Sequence, residues 1–283
     1  MKIIHSKEEL KSEISLLKAN KLSIGFVPTM GALHNGHKAL VERSVAENDC
    51  TVVSIFVNPT QFNNPTDLEK YPRTLERDAA MLETVGCDII FAPSTNDIYD
   101  NSELSTTFDF DFGGLDVVME GRFRPGHFNG VVQIVSKLFD FVQPSKAYFG
   151  EKDFQQLAII HRMVKVLGVD IEIIDCPIVR EESGLAMSSR NERLTNDQRL
   201  IAVQISKILF QSVNFAEKLS PWALTQWVTD SIELVDGLKL EYFEIVDATT
   251  LQVVEEWSNA VAVGCIAVFC GEVRLIDNIK YGK

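Results

Sequence analysis

Short apolar, β-branched runs alternate with stretches of helical spacing through about the first 180 residues, and this alternation constrains the fold more than any other feature. Strand-like runs fall at 22–27, 51–57, 88–92, 147–149 and 170–174. Helical spacing falls at 36–46, 72–85, 131–142 and 154–167. Pro72 reads as a first-turn residue and Gly86 as a helix stop. A strand that returns to its own sheet through a helix must pair in parallel, so the pattern predicts a parallel sheet with crossover helices.

The expected class is therefore α/β: a Rossmann-like parallel sheet with flanking helices over 1–177. Ligands of such sheets collect at the carboxyl ends of the strands. The pattern then changes. A polar, turn-prone link at 180–191 leads to helical spacing at 195–219 and 222–234 and strand-like runs at 238–246 and 261–269, punctuated by Gly264 and Gly271. This reads as a smaller α+β domain over 178–283.

A formal net charge of −13 argues against a general nucleic-acid or anionic-membrane surface. An anionic substrate would need a local cationic pocket. The start carries no secretory apolar core and no run is long enough to span a bilayer. Five cysteines are scattered at 50, 87, 176, 265 and 270, and the first three sit beside strand-like runs as small core residues. Without a disulfide pattern, the expected location is the reducing cytoplasm.

The strand at 22–27 runs into Pro28-Thr-Met-Gly-Ala-Leu-His-Asn-Gly-His37 and then into a helix. His34 and His37 thus stand in the first helical turn, where backbone N–H groups and the helix dipole favour phosphate. Gly36 between them permits close approach of the backbone to a ligand. Imidazoles placed there can bind developing negative charge or transfer a proton. Two other readings stay open: half of a zinc site, though no third ligand pattern accompanies it, and helix-capping histidines without chemistry.

Other polar sets fall at strand ends or at the domain border. Asn58 and Gln61 follow the second strand, where neutral amides can hold hydroxyls and carboxylates or simply serve an Asn-Pro turn. Phe149-Gly-Glu-Lys-Asp-Phe-Gln-Gln156 places Lys152 after a glycine turn, with Gln156 one turn on; an ordinary surface charge cluster is the alternative. Met187-Ser-Ser-Arg190 offers two hydroxyls and a guanidinium to a phosphate, or a flexible linker. Arg122, Arg124 and His127 occupy a loop before a helix, as clamps or as structure. Asp109 and Asp111 read as an edge strand with no chemistry.

The first of these segments resembles the His-x-Gly-His signature of the adenylyl- and cytidylyltransferase superfamily. With 56–62, 71–75, 124–128, 149–153, 184–191 and 275–278, in this order and spacing, the whole chain resembles the family of pantothenate synthetases, the AMP-forming pantoate–β-alanine ligases. The resemblance implies a two-step reaction. Pantoate attacks the α-phosphorus of ATP to give pantoyl adenylate and pyrophosphate, and the amine of β-alanine then displaces AMP to give pantothenate. It implies ATP contacts at Met30, His34, Gly36, His37, Gly150, Glu151, Lys152, Asp153, Val179, Met187, Ser188, Ser189 and Arg190, with Val179 acting through its backbone. His34, His37 and Lys152 would be catalytic, with His37 at the family's proton-donor position. Gln61 and Gln156 would hold pantoate, Gln61 also facing β-alanine, with Asn58 in support. Magnesium is implied on the ATP phosphates, with no protein ligand assigned. A homodimer is implied as well. The second domain and the loop after Gln61 are expected to cover the acyl adenylate.

Three other functions compete. A transferase ending at a stable nucleotide product shares the signature and the sheet. A sensing module that kept the fold without chemistry is opposed by intact His34, His37, Lys152 and Arg190. A tRNA-linked synthetase is disfavoured by the acidic charge and the lack of a basic domain.

Overall fold

Each apolar run of the first part of the chain pairs in parallel with its neighbours, because every connection between them is a crossover. In the computed structural model, which describes residues 1–62, 65–100, 102–103 and 108–282, the strands are β1 (Lys2–Ile4), β2 (Ile24–Thr29), β3 (Cys50–Ile55), β4 (Ile89–Phe91), β5 (Lys146–Gly150) and β6 (Glu172–Cys176). Their order is β1-β4-β3-β2-β5-β6, all parallel. From β2 the chain steps outward through β3 to β4, then returns to place β5 on the other side of β2. The β2/β5 boundary is therefore the topological switch point, where parallel sheets open a crevice for ligands.

Three antiparallel strands, β7 (Leu238–Asp247), β8 (Ala262–Cys270) and β9 (Val273–Tyr281), form a second sheet. The helices Asn196–Val213 and Pro221–Glu233 pack with it around Leu209, Val228, Phe243 and Ile266. The two compact units do not divide the chain at one point. The first comprises Met1–Asp116, Gly121–Gly150 and Ile159–Cys176; the second comprises Val117–Glu120, Glu151–Ala158 and Pro177–Lys283.

The α/β class and the helix Phe154–Leu167 stand as read from spacing. Several ends move. The second helix is Leu75–Thr84, with Thr74 accepting the first helical bond from Asp78 N at 2.9 Å, so Pro72 lies ahead of the cap and not in the first turn. The third is His127–Val142, beginning four residues before the expected start because Gly126, at φ +78°, turns the chain without a capping side chain. The helix expected to run to 219 ends at Val213, where bonds from Asn214 N to Gln211 O and Ser212 O tighten the last turn.

No strand forms at 109–111. Asp111 instead accepts from Gly113 N at 2.9 Å and from Arg162, so this acid leads a turn held by an ion pair. Strands β1 and β9 and the helix Lys7–Ala19 carry no expectation from the sequence. Residues 63 and 64, in the loop read as part of a cover, lie outside the described residues.

Candidate active site

At the carboxyl end of β2 the chain makes a tight turn before the helix Asn35–Glu47. Gly31 and Ala32 both have positive φ, +82° and +51°; the first suits glycine, while the second is costly for alanine and must be held from outside. Asp78, fully buried on the helix Leu75–Thr84, supplies that hold. Its two carboxylate oxygens accept from Ala32 N and Leu33 N, each at 2.9 Å, and Thr74 Oγ1 donates to Oδ1 at 3.2 Å. Below the turn, Thr29 Oγ1 accepts from Gly31 N and donates to Ser54 O at 2.7 Å.

This turn delivers His34 as the helix N-cap and His37 as its third residue. Gly36 N donates to His34 Nδ1 at 3.1 Å and His34 N donates to His37 Nδ1 at 3.3 Å, a capping box made of two imidazoles. Their ring centroids lie 4.1 Å apart. A ring nitrogen that accepts a hydrogen bond carries no proton, so the capping bonds put the N–H of each neutral ring on Nε2. The helix-capping reading is thus met in the structure, with Nδ1 of each ring committed to a backbone N–H.

The end of β3 brings up the amides. Asn58 is 1 % exposed, and its polar atoms are committed to protein partners. Nδ2 donates to Gln61 Oε1 at 3.1 Å and to Gly130 O at 3.0 Å, while Oδ1 accepts from Tyr99 OH at 2.9 Å and Thr60 Oγ1 at 3.1 Å. An amide has two donors and two acceptor sites, so Asn58 orients Gln61 and has little capacity left for a ligand. Burial pushes the Tyr99 hydroxyl up to about 12, which keeps it a donor to Asn58 at neutral pH.

Gln61 Nε2 lies 2.9 Å from Met30 Sδ, tying this turn to the one after β2. Gly130 permits the approach of its helix: a Cβ there would lie 2.4 Å from Thr60 O. His127, read from sequence in a loop, is a buried helical residue whose Nδ1 donates to Gln61 O at 2.9 Å. Met30, His34, His37, Asn58 and Gln61 thus converge within the first unit, and Asp78, Tyr99 and His127 support them. Only His127 had been singled out by the sequence.

The other expected residues lie mostly in the second unit. Gly150 ends β5, and Glu151–Asp153 forms a 3₁₀ turn leading into the helix Phe154–Leu167. Lys152 is therefore not on the same helix as Gln156, as its spacing had suggested. Lys152 Nζ is 3.7 Å from Asp153 Oδ2, and Glu151 Oε1 accepts from Lys280 Nζ at 2.7 Å.

Val179 and Met187 face each other across a small hairpin: Met187 N donates to Val179 O at 3.0 Å, and Arg180 bridges Ala186. Ser188 caps the 3₁₀ turn Ser189–Arg193, accepting from Arg190 N at 3.3 Å. Asn191 holds the turn closed through bonds to Glu181 Oε1 and Ala186 O. The segment read as a polar link is thus an ordered hairpin and turn, because side-chain bonds replace the missing regular structure.

A switch point in a parallel sheet, with paired histidines on the helix that leaves it, is the architecture of an α/β nucleotide-activating enzyme. The match is full-length and specific. The chain belongs to the pantoate–β-alanine ligase family, whose model matches residues 2–280. It is 58 % identical over 282 residues to a pantothenate synthetase of Bacteroides fragilis, covering 99 % of each chain, and 60 % identical over 284 residues to one of Phocaeicola vulgatus, again covering 99 % of each.

Among solved structures, the pantothenate synthetase of Thermus thermophilus superposes with a TM-score of 0.92 at 40 % identity, covering 100 % of both chains. The pantoate–β-alanine ligase of Francisella tularensis, solved with a β,γ-ATP compound and β-alanine, gives a TM-score of 0.82 at 39 % identity, covering 99 % of this chain and 97 % of that one.

Proposed function

We propose that the residues gathered above carry out the two half-reactions of the family, the ATP-dependent condensation of pantoate with β-alanine. In the first, a pantoate carboxylate oxygen forms a bond to the α-phosphorus while the bond to the pyrophosphate leaving group breaks. No protein nucleophile is needed, because adenylation itself activates the acid. The Nε2–H groups of His34 and His37 donate to the phosphates as negative charge moves onto pyrophosphate, and Lys152 adds a cation. His37 is the proton donor of the pair. In the second, the free amine of β-alanine attacks the acyl carbonyl, AMP departs with the electron pair of the acyl–oxygen bond, and the amine gives up a proton.

Gln61, aimed by Asn58 and His127, holds pantoate with Gln156 and faces β-alanine. Met30, Gly36, Gly150, Glu151, Asp153 and the Val179 backbone receive the nucleotide, and Met187, Ser188, Ser189 and Arg190 close on its phosphates. Magnesium enters with ATP as part of the substrate. An ion of this kind binds chiefly through substrate phosphates and keeps several of its waters. The five cysteines, all unpaired and buried, suit a reducing cytoplasm. A homodimer is the expected assembly, and light scattering at the monomer mass would refute it.

The paired histidines at the β2 switch point carry the reading. Purified protein with ATP, magnesium and pantoate is expected to release AMP and pantothenate steadily only when β-alanine is added. His37→Ala is expected to slow pyrophosphate release about a hundredfold, as loss of a charge-stabilising donor does. Release at the wild-type rate would remove His37 from the mechanism.

A further inference from the structure

Strand β9 carries a buried dipeptide, Asp277-Asn278, to which the reaction as described gives no task; each residue is 4 % exposed. Neighbours on a strand point to opposite faces, so the two side chains reach different segments. Asn278 Nδ2 donates to the backbone carbonyls of Glu151 at 2.8 Å and Lys152 at 3.1 Å. Both donor hydrogens of this amide are thereby spent on the turn that bears Lys152.

Asp277 grips the hairpin instead. Its Oδ2 accepts from Arg180 Nη1 at 2.7 Å and its Oδ1 from Arg180 Nη2 at 2.9 Å, a two-pronged pairing that fixes direction as well as distance. Arg180 is further set by Gly184 O at 3.2 Å and by the Phe210 ring, 4.8 Å from its guanidinium carbon. This arginine adjoins Val179, the residue bonded to Met187. Asp277 Oδ1 also accepts from Asn278 N at 2.8 Å, which locks the two residues to one another.

We propose that Asp277 and Asn278 are positioning residues for catalysis: one rigid dipeptide sets the Lys152 turn and the Val179–Met187 hairpin at a fixed separation, so that both meet the same nucleotide. The inference rests on the reading of Lys152 and the hairpin as ATP contacts. Lys280, on the same strand, adds an exposed tie to the Glu151 side chain.

The test is a kinetic cycle on the full chain, read as pyrophosphate release against ATP concentration. Asn278→Ala is expected to lower kcat/KM for ATP at least tenfold, and to lower it less than twofold further when placed on Lys152→Ala. Tyr281→Phe, which removes another buried bond of β9 (Tyr281 OH to Ser212 Oγ, 2.6 Å), is expected to lower the melting temperature while leaving kcat/KM within twofold. Asn278→Ala within twofold of wild type, or its full loss repeated on Lys152→Ala, overturns the proposal. Lys152→Ala at the wild-type rate would instead sink the reading of Lys152, and the proposal with it. If Asn278→Ala does not fold, Asn278→Gln, which keeps the amide on a longer stem, goes through the same cycle under the same criteria.

Discussion

Asp78→Asn tests how the histidine pair is held, and its effect can be worked from the structure. The substitution keeps the shape of a fully buried side chain but leaves one oxygen where there were two. Ala32 N and Leu33 N each donate at 2.9 Å to a separate carboxylate oxygen, so one of them must then face an amide NH₂. A buried donor left unsatisfied costs about 1–3 kcal/mol, and the surviving bond, now to a neutral acceptor, loses about 1 kcal/mol more. A total of about 2–4 kcal/mol corresponds to a melting temperature lower by on the order of 10 °C for a protein of this size.

The catalytic loss is expected to be larger than the stability loss suggests. Ala32 is held at φ +51°, and its release lets the turn relax and shifts His34. A displacement of about 1 Å at a catalytic group costs on the order of a hundredfold in rate. Thermal unfolding and pyrophosphate release, measured on the same preparation, give both numbers. Thr74→Val supplies a graded control, since it removes only the 3.2 Å bond to Oδ1 and should cost about 1 kcal/mol. Asp78→Asn with an unchanged melting temperature and turnover within twofold of wild type would refute the argument.

Two further outcomes follow from the same geometry. Gly130→Ala places a Cβ 2.4 Å from Thr60 O and 2.7 Å from Gln61 N, backbone atoms that cannot rotate away. It is expected to raise KM for pantoate at least fivefold with a smaller change in KM for ATP, and equal changes in both would contradict the placement of Gln61. All five thiols are buried; burial pushes Cys50 and Cys87 up to about 12 and raises Cys176, Cys265 and Cys270 as well. At pH 8 a pKa of about 12 leaves roughly one thiol in ten thousand ionised, so a thiol-specific reagent should find no fast phase until denaturant unfolds the chain. A thiol that reacts within seconds in the native protein would count against that burial.

Much of this protein was legible in the sequence because its signals are local. Alternation of strand and helix periods determined the parallel sheet, and the spacing of Phe154–Leu167 matched its helix end to end. The His-x-Gly-His segment lies within one strand–turn–helix unit, so its place at a helix start could be read directly. The helical spacing read from 195 likewise met a helix that begins at Asn196, with Thr195 as its cap.

Tertiary structure decided what depends on residues far apart in the chain. β1 is three residues long, too short for any period to register, and it is a strand only because β4 stands ready to pair with it. Pro72 is a sound first-turn residue in isolation, yet the helix begins where Thr74 and Asp78 meet the turn after β2. Asp78 secures residues 45 and 46 positions before it, Tyr99 and His127 secure an amide turn, and Asn278 secures carbonyls 126 and 127 positions earlier. Sequence spacing records which face of an element is apolar. Which buried donor meets which acceptor is set by how the elements pack, and in this protein that pairing fixes the turn before His34, the Gln61 turn and the Lys152 turn.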